Sequence, residues 1–215
     1  MTMLKLADRD DRGPERELDM LMKRWTQRGF HVQHSTAFRA RFHPLLYRGD
    51  ITAAWNLVQS VWPLYEKSML LRLQMIRIEM YEVYARCTLA LAATSDNVQP
   101  LLRRAERDVR RLEREKRPWA SAYARFLRAA IALRRGQRSR SSELLRESAS
   151  RFDACDMRLN AVVARRCLGE MIGGPGGDSL VAQADAWVNA QGIQDPVRWA
   201  AMYAPGFVQT TEKSM

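Results

Sequence analysis

Between Lys67 and Ala93 the apolar side chains fall on nearly every face of a helix, and charge is confined to one narrow line. The stretch KSMLLRLQMIRIEMYEVYARCTLALAA holds no Pro or Gly, and its spacing predicts one long helix. Arg72, Glu79, Glu82 and Arg86 share a single stripe on that helix, leaving Leu, Ile, Met, Tyr and Ala elsewhere. A helix apolar around most of its girth must be flanked on several sides. The pattern therefore predicts the central helix of a helical stack.

The rest of the chain carries the same period. Residues 14–28 open with Pro14 and place Leu18, Leu21, Met22 and Trp25 on one stripe before Gly29, a face that needs cover from outside this segment. Residues 31–48 predict a helix that Pro44 should kink or break, and residues 51–67 a second one with Ala54, Trp55 and Val58 inward. Thr94, Ser95 and Asp96 supply a turn and a cap for a helix over 97–116. Helices follow over 118–135, 138–153 and 157–172. GGPGGD then acts as a breaker before SLVAQADAWVNAQG, and Asp195 and Pro196 start a short terminal helix. Helical segments joined by short turns pack antiparallel. No stretch has the period-two alternation of a half-buried strand, so the expectation is all-α, with a disordered segment over 1–13, a helical domain over 14–207 and a flexible tail over 208–215.

Composition narrows the function. At 215 residues and 47% apolar content the chain can bury a substantial core. Cys87, Cys155 and Cys167 are odd in number and set in apolar helical patterns, which predicts reduced, buried thiols rather than disulfides. The first residues carry acids where a secretory leader needs an apolar run, and no segment is long and uncharged enough for a membrane span. The expected location is the cytoplasm.

The formal charge of +11 is unevenly placed: from Arg103 to Arg140 fourteen basic residues stand against four acidic ones. Arg103, Arg107, Arg110 and Arg114 align on one helix face at a spacing that could track phosphates, which makes nucleic acid a candidate partner. No recognition helix or stacking aromatic cluster accompanies them. An acidic protein surface and an ordinary solvated face are the competing readings.

With Gly49 and Gly136 in register, Phe42 aligns with Ala129, Ala54 with Ser141, Val58 with Leu145 and Val61 with Ser148. Small or apolar residues are wanted at these positions in tetratricopeptide hairpins, and the chain resembles a tetratricopeptide-like α-solenoid of about four hairpins. The repeat is longer than the usual 34 or so residues, since Asp50 to Asp96 spans 46 positions. The resemblance implies a concave groove faced by Thr36, Arg39 and His43 in the first unit, Tyr123 and Phe126 in the basic unit, and Arg166 in the last. The stripe of Arg72, Glu79, Glu82 and Arg86 is either a solvated, self-paired face or a polar line within that groove.

Whole phrases add to this: RWTQRGFHVQH, LYRGDITAAW, SMLLRLQMIRIE, FDACDMRLNAVVARRCLGEMIGG and ADAWVNAQGIQDPVRWAAMYAPGF. Over roughly residues 20–207 the chain resembles the helical region that follows the kinase domain in large bacterial eukaryotic-like serine/threonine kinases. That resemblance implies a non-catalytic interaction or regulatory module, with a protein, peptide or kinase domain as partner and no cofactor.

Catalytic motifs are weak by comparison. LADRD at 6–10 lacks the downstream Asn of a kinase catalytic loop, and no Gly-rich loop or strand Lys accompanies it. GGPGG at 173–177 lacks the Gly-Lys-Ser/Thr and the preceding strand of a phosphate loop. His31, His34 and His43 have no nearby carboxylate or thiol to complete a metal site.

Overall fold

The computed structural model describes residues 13–25 and 28–207, with side chains from Glu17 onward. The expected disordered start lies outside these residues apart from Gly13, as do LADRD and the expected tail 208–215. Among the described residues the chain is all-α, with ten α-helices, two 3-10 turns and no strand. The helices are α1 (Gly13–Lys23), α2 (Val32–Tyr47), α3 (Ile51–Lys67), α4 (Gln74–Thr94), α5 (Val98–Arg114), α6 (Pro118–Arg134), α7 (Arg138–Asp153), α8 (Arg158–Ile172), α9 (Gly174–Ala190) and α10 (Pro196–Tyr203). The 3-10 turns are Met69–Arg72 and Pro205–Phe207. The chain divides into two compact units, Met1–Arg77 and Ile78–Met215.

In the first unit α2 and α3 form a hairpin. Gly49 turns the chain at φ 75°, a left-handed conformation that favours glycine. Asp50 then caps α3 by accepting from Ala53 N at 3.0 Å. Phe38, Phe42, Ala54, Val58 and Tyr65 are buried between the two helices, and the Tyr65 hydroxyl donates to Ser35 Oγ at 2.6 Å. Pro44 does not break α2: it sits in the last turns, where a missing N–H removes one bond and the helix still reaches Tyr47. Leu21 of α1 and Trp25, two residues beyond its end, are each 50% exposed.

The stretch 67–93 is not one helix. Ser68 ends α3, and its Oγ accepts from Leu70 N at 3.2 Å, winding Met69–Arg72 into a 3-10 turn. Leu73 is extended and α4 starts only at Gln74. Arg72 therefore precedes α4 instead of standing on its stripe, and it is exposed.

In the second unit Val83, Tyr84, Ala85, Cys87, Leu89 and Ala90 of α4 are buried, as the apolar pattern requires, and Arg86 and Thr88 are buried with them although the stripe reading allowed Arg86 a solvated face. Each large apolar side chain removed from water in this way contributes about 1.5–3 kcal/mol. Consecutive helices pack in order, α6 on α7, α7 on α8 and α8 on α9. Small residues let them approach. Ala120, Ala122, Ala124, Ala129, Ala130 and Ala132 of α6 are all buried, and Ser141 Oγ of α7 donates to Ala129 O at 2.8 Å. The α6–α7 turn is made by Gly136 at φ 76°.

GGPGG does not separate two helices as a linker; it forms the first turn of α9, with Pro175 at a position where no N–H is needed. The reason is contact: a Cβ on Gly177 would lie 2.5 Å from Gly169 O, and one on Gly169 would lie 2.6 Å from Gly177 O. Only hydrogen at both positions lets α8 and α9 meet here. Beyond α9 the chain turns back: α10 packs on α8 and α9, and the turn Pro205–Phe207 packs on α6.

Candidate functional site

The sequence-derived groove residues fall in both units and are described unit by unit. In the first, His43 is half-buried and its Nδ1 donates to Arg39 O at 2.9 Å, a bond within α2. Arg39 is half-buried on the same helix, Thr36 is exposed one turn earlier and Arg72 is exposed on the 3-10 turn. His31 and His34 act at the N-terminus of α2, where His31 N donates to His34 Nδ1 at 3.1 Å.

In the second unit the structure brings Glu82, Arg86, Tyr123 and Phe126 together. Arg86 is only 3% exposed, and its Nε lies 3.1 Å from Glu82 Oε1, one helical turn before it on α4. Burial pushes the Glu82 carboxyl above the usual carboxylate range, against the pull of Arg86. Tyr123 of α6 feels the charges of Glu82, Arg86 and Glu79, and burial raises its hydroxyl well above the ordinary value. Glu79 is half-buried one turn before Glu82. Tyr123 and Phe126 both meet Phe152 of α7 edge-on, at 5.3 and 6.1 Å between ring centres.

These residues hold a piece of the chain itself. Arg86 Nη1 donates to Met202 O at 3.2 Å, and its guanidinium lies 5.4 Å from the centre of the Tyr203 ring. Arg134, at the end of α6, donates from Nε to Gly206 O at 3.2 Å. Phe207 packs on Phe126 at 5.4 Å. Gly206 is pressed between helices, so that a Cβ there would lie 3.0 Å from Ala130 Cβ and 3.3 Å from Leu89 Cβ. The void left among these groups is only about 10 Å³.

The other side of the same segment is loosely packed. A cavity of about 410 Å³ is lined by Leu133 of α6, by Arg166, Cys167, Glu170 and Met171 of α8, and by Val197, Ala200, Ala201, Ala204 and Phe207. Arg166 stands at its edge, 5% exposed and neutralised by Glu170 on its own helix and by Asp185 of α9, whose Oδ1 it reaches at 2.7 Å. Cys167 is buried in the wall, and burial raises its thiol far above the ordinary value. Cys87 is pushed up to about 12 by the same cause, so neither is a thiolate near neutral pH.

Leu89, Ala130, Arg134 and the segment 202–207 were not among the candidates read from the sequence. Their signal was Ala-Pro-Gly-Phe at 204–207, which reads as a helix stop and gives no hint that the stop lies against α6.

The arginine block sorts into two sets. Arg128 grips Glu113 with two bonds of 2.7 Å, Arg135 meets Glu106 at 2.7 Å and Arg125 lies 3.2 Å from Glu147, so these tie α5 to α6 and α6 to α7. Arg111 and Arg104 flank the buried Asp108 at 2.8 and 3.6 Å, and Arg104 stacks over Tyr84 at 4.3 Å. By contrast Arg103, Arg107, Arg110 and Arg114 are exposed on α5, and among the described residues none has an ion-pair or hydrogen-bond partner. Arg110 exerts only a longer-range pull on Glu113.

Among the described residues no three His, Cys, Asp or Glu side chains are grouped to hold a metal, and no helix is long and apolar enough to cross a membrane. In comparisons with family models, curated proteins and solved structures, the chain matches none.

Proposed function

We propose that this chain is a non-catalytic protein-interaction and regulatory module of the tetratricopeptide-like α-solenoid type, acting in the cytoplasm. The repeat reading is supported by the two left-handed turn glycines, Gly49 and Gly136, and by the burial of Phe42, Ala54 and Val58 in one hairpin and Ala129, Ser141, Leu145 and Ser148 in the other. The resemblance to the helical region of bacterial serine/threonine kinases supports a kinase domain, or a protein regulated with one, as the partner. No group in the site has the base, nucleophile or metal set that an enzyme reading would need.

One observation carries the proposal: side chains of α4 and α6 converge on a chain segment and grip it by its carbonyl oxygens, through Arg86 to Met202 O and Arg134 to Gly206 O. Main-chain bonds supply attachment and side-chain seats supply selectivity, which is how peptide grooves work. A photo-crosslinking residue at position 79 or 123 tests this. The purified captured protein should bind the intact chain with an affinity lowered about tenfold or more by Tyr123→Ala in a variant that melts normally. Equal capture from position 110, or no binding by the purified protein, refutes the groove.

A second reading, nucleic-acid binding, is favoured by the exposed row Arg103, Arg107, Arg110 and Arg114. Four phosphate contacts would give log Kd against log salt a slope of about 3 to 4, and reversing the four charges should remove it. A flat salt response sinks this reading.

A further inference from the structure

We infer that residues 202–207 are a built-in occupant of the groove, and that its natural partner presents a segment of the same chemistry, a small residue, Pro, Gly and an aromatic ring, which displaces them. This rests on the interaction reading above. The seat is selective at two points. At Gly206 a side chain would be crowded, since a Cβ there would lie 3.0 Å from Ala130 Cβ of α6 and 3.3 Å from Leu89 Cβ of α4, and anything larger than a methyl group would have to part them. At Phe207 an aromatic ring completes a row of ring contacts that runs through Phe126 to Phe152, tilted at the first pair and edge-on at the second. Elsewhere the segment is held by Arg86 on Met202 O and over the Tyr203 ring, and by Arg134 on Gly206 O; the carbonyl bonds are ones that any polypeptide offers.

The occupant is also built to leave. It is tight against α4 and α6 but overlies the 410 Å³ cavity on its α8 side. Helix α10 spans only eight residues. Trp199, 5% exposed, buries an indole N–H with no hydrogen-bond partner among the described residues. An unsatisfied buried donor and a void both lower the cost of releasing the segment. The arrangement is a self-inhibited groove, in which apparent affinity for a partner is reduced by the fraction of molecules whose seat is filled.

The test uses the intact chain and a fluorescent peptide of residues 199–207, Trp-Ala-Ala-Met-Tyr-Ala-Pro-Gly-Phe. The wild-type chain should bind it weakly, and Phe207→Ala in the chain should tighten binding about tenfold by emptying the seat. A peptide carrying Gly206→Val should bind neither. If Phe207→Ala proves too unstable to study, amide exchange in the wild type serves instead. Saturating peptide should speed exchange at Ala204 and Phe207, whose N–H groups donate to Ala200 O and Ala204 O at 2.8 and 3.0 Å. Equal affinity for both chains, with the peptide still crosslinking at position 123, overturns the displacement while leaving the interaction reading intact. No binding to either chain, although the emptied segment exchanges freely, overturns both. A concentration-dependent dimer that Phe207→Ala abolishes would put a second copy's segment in the seat and also overturn displacement by a partner.

Discussion

Gly177→Ala and Gly176→Ala are the same chemical change at adjacent positions in the first turn of α9, and the packing gives them opposite signs. At Gly176 a Cβ meets nothing within 4 Å, so the gain is that of replacing a flexible glycine in a helix, up to about 1 kcal/mol. At Gly177 a Cβ would stand 2.5 Å from Gly169 O, roughly 0.9 Å inside ordinary contact as read from that distance. The obstacle is main chain within α8, which no rotamer change can move. Overpacking costs about 1–3 kcal/mol, and a backbone obstacle belongs at the upper end. Subtracting the helix gain leaves Gly177→Ala destabilised by about 2 kcal/mol, so the two variants should differ by about 3 kcal/mol. In a domain of this size that is a separation of about 6–12 °C in Tm. Thermal unfolding followed by circular dichroism reads it directly. Equal midpoints, or Gly177→Ala the more stable, would refute the close crossing of α8 and α9.

Three further outcomes are expected. Ser141→Ala removes the buried bond that Ala129 O accepts from outside its own helix and should cost about 1 kcal/mol in urea unfolding. Arg166→Met strips two carboxylates of their buried cation; because Asp185 and Glu170 are 28% and 47% exposed, the loss should be about 2 kcal/mol, less than for a wholly buried pair. Glu82 has its pKa raised by folding, so its contribution is fully present below the ordinary value of 4.5 and is lost as pH rises through the folded-state pKa. Glu82→Gln does not titrate and should gain stability relative to the wild type between pH 4 and pH 7; parallel Tm profiles, or a relative loss, would contradict the burial of this carboxyl.

Helices were legible wherever one residue class dominated a face. The apolar residues around Val83–Ala90 read as buried helix, and they are, with Arg86 buried among them. Punctuation was less legible, because Pro and Gly have different meanings at different places. Pro44 near the end of α2 costs one bond and stops nothing. Gly177 was read as part of a flexible breaker, whereas its missing side chain serves a helix crossing. Ser68 ends α3 and caps a 3-10 turn through one hydroxyl, a contact too local for any periodicity to register. That single cap moves Arg72 off the stripe that Glu79, Glu82 and Arg86 keep on α4.

The site shows the same division between what a helix determines and what its neighbours determine. Helical spacing is enough to align Glu82 with Arg86, and Tyr123 with Phe126, but it cannot say what lies opposite them. The arginines make the point most clearly. Arg103, Arg107, Arg110 and Arg114 differ from Arg104 and Arg111 only by rotation about α5, yet Arg104 and Arg111 face Asp108 and the tyrosines of α4 while the other four face outward. Asp108 is buried, and its carboxyl is pushed above the usual range by desolvation even with two guanidinium groups beside it. A buried carboxylate flanked by two arginines of its own helix adds little net stability, but removing one partner is costly. The contacts that cross to α4 are Arg104 over Tyr84 and Arg111 over Tyr81, and these orient α5 against it. That orientation is what leaves the outer row unpaired. The exposure of Arg103, Arg107, Arg110 and Arg114 is therefore a consequence of how α5 is seated against α4, and an acidic partner drawn to the block meets that outer row.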